Sequence, residues 1–111
     1  MTSSVSSPNQ AAASADLRDL WLEILRQIEP KVTRSQFITW FRDTAILGRE
    51  EGTLVIGLPL PMSLNWHLEH YRALTLQSAQ AIDKTIEQVV YKVDGGLKDD
   101  PARTLNLLEH F

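Results

Sequence analysis

The sequence predicts an α+β domain with element order α-α-β-β-α-β, a three-stranded sheet covered by helices. Three observations carry this. A long apolar stripe at helical spacing runs from Asp16 to Glu29, an aromatic triplet at helical spacing follows Thr33, and two blocks of period-two alternation flank a second long helix.

In the first helix, Leu17, Leu20, Trp21, Ile24, Leu25 and Ile28 recur on one face, with Leu22 off the stripe and expected to be exposed. Asp16 or Ser14 suits the cap, and Pro30 closes the helix. The second helix has a written start: Thr33 can cap it, and Gln36 three residues on can reach back, which is a capping box. Phe37, Trp40 and Phe41 then share one face and are expected in the core.

Residues 44–47 and 53–58 read as two strands around Gly48-Arg49-Glu50-Glu51-Gly52, a hairpin with a five-residue loop. Pro61 suits the first position of a helix running to about Asp83, with a bend expected near residues 73–75. Its stripe is read as Leu64, Leu68, Tyr71, Leu74, Ser78 and Ile82, with Trp66 beside it. Residues 85–93 are rich in β-branched side chains and predict the third strand, stopped by Asp94-Gly95-Gly96.

The domain is therefore placed at residues 16–95. Residues 1–15, Ser/Ala-rich and uncharged, predict a disordered lead-in. Residues 96–111 read as a tail or the start of a linker, with a helix-start signal at Asp100-Pro101 and an apolar edge of Leu105, Leu108 and Phe111.

Composition narrows the function classes. The chain has 111 residues, a net charge of −3 and no cysteine. That excludes disulfides and thiolate chemistry, and it lacks the basic footprint of a strong duplex-DNA binder. No apolar run is long enough to span a bilayer, no secretory leader is read, and a cytoplasmic protein is expected. No Ser-His-Asp, paired-carboxylate or glycine-rich phosphate motif is present, so no enzyme and no cofactor are expected. His67, Glu69 and His70 invite a metal reading, but a zinc site needs three or four ligands, so a solvated helix face is expected instead.

Taken together, Leu20-Trp21, Gln36-Phe37, Thr39-Trp40, Gly52-Thr53-Leu54, Pro59 and Asn65-Trp66 resemble the N-terminal domain of the bacterial replication initiator DnaA, over residues 17–95. The resemblance implies a KH-like fold and a non-catalytic interaction domain. It implies a weak homodimer formed through helix 1, contact with the replicative helicase and with initiator regulators, and weak single-stranded DNA binding. Trp21 matches the self-association tryptophan, flanked here by Leu17 and Leu22. Gln36 stands where the family often has a helicase-touching glutamate. Leu60 and Met62, with Trp66 beyond them, stand at the partner-contacting P-N-x-F stretch, which here reads P-L-P-M. The uncharged Gln36 and the altered stretch imply a differently tuned partner face.

Each residue also has a plainer reading. Trp21 on an apolar stripe suits a core position as well as an interface. Met62 and Trp66 suit sheet packing as well as an exposed contact patch. Arg18, Arg26, Lys31, Arg34 and Arg42 suit a solvated mixed face as well as weak contact with single strands. The G-R-E-E-G turn has neither the spacing nor the charge of a KH module's GxxG loop. No Walker A loop or origin-binding helix-turn-helix is read in these residues. The chain is expected to be an excised interaction domain or a stand-alone copy acting as a decoy of the initiator.

Overall fold

The computed structural model describes the backbone of residues 6–111 and the side chains of residues 16–111. The architecture is α+β: a three-stranded sheet with helices packed against it. Helix α1 spans Ser6–Ile28 and α2 spans Arg34–Phe41, separated by a 3₁₀ turn at Glu29–Lys31. Strands β1 (Ala45–Glu50) and β2 (Thr53–Leu58) are antiparallel. Helix α3 (Pro61–Trp66), a π-turn (His67–Tyr71) and helix α4 (Arg72–Ile82) lead to β3 (Gln88–Val93), which pairs with β2 in parallel. The sheet order is β1-β2-β3, and the α3–α4 passage is the crossover that a parallel pair requires.

Helix α1 begins upstream of the expected position. The expected disordered lead-in lies outside the described residues over 1–5, and from Ser6 the backbone is helical. Ala11, Ala12, Ala13 and Ala15 are the best helix formers, so α1 extends through a stretch whose composition suggested only a lack of core. Further along α1, Trp21, Ile24, Leu25 and Ile28 are buried, while Leu17, Leu20 and Leu22 are half-buried against the same core. Leu22 is thus not the exposed residue expected.

The capping box of α2 is present in both halves. Gln36 N donates to Thr33 Oγ1 at 3.1 Å and Thr33 N donates to Gln36 Oε1 at 3.1 Å. The hairpin loop is shorter than expected. β1 continues to Glu50, and Glu51 (φ 46°) and Gly52 (φ 89°) form the turn, the conformation whose twist matches paired strands. A register shift between Ile46 and Gly48 inserts one residue into β1, which lets pairing continue past a glycine that read as loop.

The expected bend near residues 73–75 falls instead at the π-turn of His67–Tyr71. Ser63, His67, Tyr71, Thr75 and Ala79 are all buried at every fourth position. A regular α-helix overshoots by ~40° in four residues, and one wider turn absorbs that drift. The expected stripe through Leu68 is therefore corrected. Leu68 is exposed and His67 takes the inward position.

Beyond β3, a 3₁₀ turn (Gly95–Asp99) and a short helix α5 (Leu107–His110), capped by Asn106, fold back over the domain. Asp100-Pro101 starts no helix; Pro101 lies in a turn. Leu97, Leu105 and Leu107 are buried, and Phe111 is half-buried, but Leu108 points outward. On the far side of the domain, Arg49 of β1 pairs with Asp83 at the end of α4.

Candidate functional site

Among the described residues, three of the six exposed large apolar side chains, Leu60, Met62 and Trp66, lie at the entry of α3, where it meets α2. Phe37 and Phe41 turn into the core, but Trp40 is only half-buried, against the expectation that all three rings are core. Its indole stacks on that of Trp66, with centroids 4.6 Å apart and planes within 9°. Trp66 in turn meets the His70 ring at 4.2 Å. Trp66 is 37% exposed and Met62, on the same short helix, is 70% exposed. Leu60, the residue before α3, is also exposed. Pro61 explains the geometry: it starts α3 abruptly at the end of β2, so the first turn projects outward.

Gln36 sits one turn before Trp40 on α2, so the two share a face. Its side-chain carbonyl is committed to the capping box, which leaves its amide N–H groups for a partner. Of the sequence-predicted partner residues, Gln36 thus shares a face with Trp40, Met62 and Trp66 share a face of α3, the Trp40–Trp66 stack joins the two faces, and Leu60 is exposed just before α3. The helical spacing that placed Trp40 in the core gave no signal for its exposed face.

Beneath this edge lies His67, which is buried rather than solvated as expected. Its Nε2 is 2.7 Å from the Trp40 carbonyl and must carry the proton, since a carbonyl only accepts. The rings of Phe41, Tyr71 and Tyr91 surround it at 4.9, 5.4 and 5.6 Å. Nδ1 is buried with no protein partner among the described residues. Burial pushes its pKa down, partly opposed by the bond to Trp40. The histidine thus holds the π-turn against α2 directly under the Trp40–Trp66 stack. His67, Glu69 and His70 do not converge on a metal. Among the described residues, no group of His, Cys, Asp and Glu side chains is arranged to hold one.

Trp21 is only 1% exposed, and its indole N–H donates to Thr44 Oγ1 at 3.0 Å. Thr44 Oγ1 donates onward to the Phe41 carbonyl at 2.6 Å. Both polar groups are satisfied inside the chain. In this structure Trp21 is a core residue, and among the described side chains of α1 Leu17, Leu20 and Leu22 are the partly accessible large apolar ones. Leu17 and Leu20 line a shallow depression with Asp16 and Arg49.

The five basic candidates are not one patch. Arg18 Nε donates to the Thr104 carbonyl at 3.1 Å, and Arg34 Nη1 donates to the Phe111 carbonyl at 2.9 Å. These two hold the C-terminal segment. Arg18 and Arg42 line a cavity of about 520 Å³ with Lys98, but Asp43 and Glu109 line it too. Arg26 and Lys31 are exposed elsewhere on the surface.

Among the described residues no helix is long and apolar enough to cross a membrane. The family described as DnaA N-terminal domain matches residues 18–81, more than half of the chain. The chain belongs to that family. It is 26% identical over 76 residues to the chromosomal replication initiator protein DnaA of Deinococcus radiodurans, which covers 68% of this chain and 16% of the relative. It is 34% identical over 67 residues to a protein of the same description from Thermus thermophilus, covering 56% of this chain and 15% of the relative. A Deinococcus deserti protein of that description is 22% identical over 76 residues, covering 68% of this chain and 17% of the relative. The chain thus spans about a sixth of the length of these relatives.

Proposed function

We propose that this chain is a non-catalytic protein–protein interaction domain acting in the initiation of DNA replication, joining initiator chains to one another and to the replicative helicase or initiator regulators. The observation that carries the heterotypic part is the edge formed by Leu60, Met62, Trp66, Trp40 and Gln36. A paired tryptophan stack beside a 70% exposed methionine offers a large apolar contact area. Such clusters of aromatic and flexible apolar side chains are what binding hot spots are made of. The polar N–H groups of Gln36 at its rim supply orientation rather than affinity.

Self-association is assigned to α1, through Leu17 and Leu22 at its half-buried margin. Trp21 acts from beneath by fixing the helix on the core. The supporting features are family membership and the apolar margin that the core leaves uncovered on α1. Sedimentation equilibrium over a wide concentration range, at low and high salt, tests this half. Dimers that survive high salt and weaken in Leu22→Lys support it, whereas a monomer at every concentration removes it. Of its five basic residues, the single-strand reading keeps Arg26, Lys31 and Arg42 without a hydrogen bond to the C-terminal segment, and backbone binding of that kind falls steeply with salt.

A further inference from the structure

The C-terminal segment, residues 103–111, lies beyond the stretch that the family matches, yet it is built into the core. Leu105 and Leu107 are buried, and the Phe111 ring meets Phe37 edge-on at 4.9 Å. Arg18 of α1 and Arg34 of α2 each donate to one of its backbone carbonyls, those of Thr104 and Phe111. The segment is a strap across the seam between the first two helices.

Its lead is fastened differently from its body. Leu97 is fully buried against β2, where a Cβ on Gly57 would stand 2.8 Å from Leu97 Cδ1. Between that anchor and the strap, Lys98, Asp99, Pro101 and Ala102 are exposed and Asp100 is half-buried. The backbone bonds from Asp100, Arg103 and Thr104 N–H here are local turn bonds, to Leu97 and Asp100 carbonyls. Arg103 pairs with Asp100 within the approach and with Asp94 just after β3. An anchored start, an exposed run without long-range bonds and a strap with a shaped seat make a hinge and a detachable arm.

We propose that this strap is exchangeable, so that in a homodimer residues 103–111 of each copy seat in the α1–α2 seam of the other. The proposal rests on the self-association reading and gives it a route that leaves Trp21 buried. The occupant is fixed by complementarity already present, because the contacts of the strap with α1 and α2 re-form between chains. Exchange gives up only the local turn bonds to Asp100 in the hinge; the rest of its cost is the freedom lost on joining two chains, and such swaps are a low-cost route to dimers. Residues 98–102, fully extended, span at most ~18 Å, so the two cores are held close together. Because both straps must leave their seats first, dimers formed at high concentration persist after dilution.

The test mixes uniformly ¹³C-labelled and unlabelled chains at high concentration, separates dimer from monomer, and records isotope-filtered NOEs between the Phe37 and Phe111 rings. Exchange predicts interchain Phe37–Phe111 cross-peaks in the dimer. It also predicts that deleting Lys98 and Asp99, which removes two of the five hinge residues and so disfavours docking within one chain relative to docking between chains, lowers the dimer dissociation constant at least tenfold. Dimers with only intrachain cross-peaks would overturn the exchange while leaving self-association standing. Monomer at every concentration, in the full chain and in the shortened one, would overturn both. A shortened chain that stays monomeric beside a dimerising full chain would likewise overturn the exchange.

Discussion

The indole N–H of Trp21 and the hydroxyl of Thr44 form a buried 3.0 Å hydrogen bond that ties α1 to the start of β1. Removing either partner leaves a polar group stranded in the core. Thr44→Val, which keeps the shape and deletes the acceptor, should cost about 1–3 kcal/mol in urea unfolding. Trp21→Ala adds a large cavity and should cost about 3–5 kcal/mol, enough to unfold a domain of ordinary marginal stability. Loss of self-association in Trp21→Ala is therefore expected to track loss of fold. Circular dichroism and sedimentation on the same sample check this.

The edge at the entry of α3 behaves oppositely. Met62 is 70% exposed, so Met62→Asp should shift stability by no more than ~0.5 kcal/mol. Trp66→Ala should lose the stacking with Trp40, about 0.5–1.5 kcal/mol, and change the near-ultraviolet circular dichroism without changing the far-ultraviolet spectrum.

His67 makes the fold acid-sensitive. Its folded pKa lies below the ordinary histidine value of 6.5, so in the window between the two the unfolded chain binds the extra proton. Stability is then full above about pH 6.5 and falls as pH drops through that window. No charged side chain is among the named neighbours, which are Phe41, Tyr71, Tyr91 and the Trp40 carbonyl, so protonation puts an unpartnered N–H⁺ among aromatic rings. Denaturation midpoints between about pH 5 and 8 should show the slope. His67→Phe should flatten it while losing about 1 kcal/mol from the stranded carbonyl.

Glu51 holds a left-handed backbone conformation, φ 46°, in the β1–β2 turn. That is strained for a residue with a Cβ and ordinary for Asn or Gly. Glu51→Asn should raise stability by about 0.5–1 kcal/mol with no effect on partner binding, read as a higher thermal midpoint.

Local grammar was legible in the chain. Thr33 and Gln36 predicted a capping box that forms in both directions, the α1 stripe marked its buried face, and the alternation at 53–58 and 89–93 marked two strands. Nonlocal facts were not. The parallel pairing of β2 with β3 depends on the crossover. The π-turn shifts the inward row from Leu68 to His67, because a fixed 3.6-residue period cannot anticipate one wider turn. The exposure of Met62 and Trp66 was one of two readings the proline-broken stretch allowed, and Leu60 was singled out through the family resemblance, but the exposed face of Trp40 had no signal. Whether a ring on an apolar stripe is fully covered depends on what packs over it, and here the cover is another exposed tryptophan. The strap was read as a tail or the start of a linker with a short apolar edge; that its residues Leu105 and Leu107 reach back onto the core is a nonlocal fact that spacing alone does not carry.

Calorimetric titration of this domain with the replicative helicase decides whether the Leu60–Met62–Trp66–Trp40 edge is a binding surface. Saturable binding by the parent chain is expected, with at least a tenfold loss in Met62→Asp and in Trp66→Ala and with Met62→Asp melting like the parent. Helicase binding of equal affinity in the parent and both variants would show that the edge is not the contact.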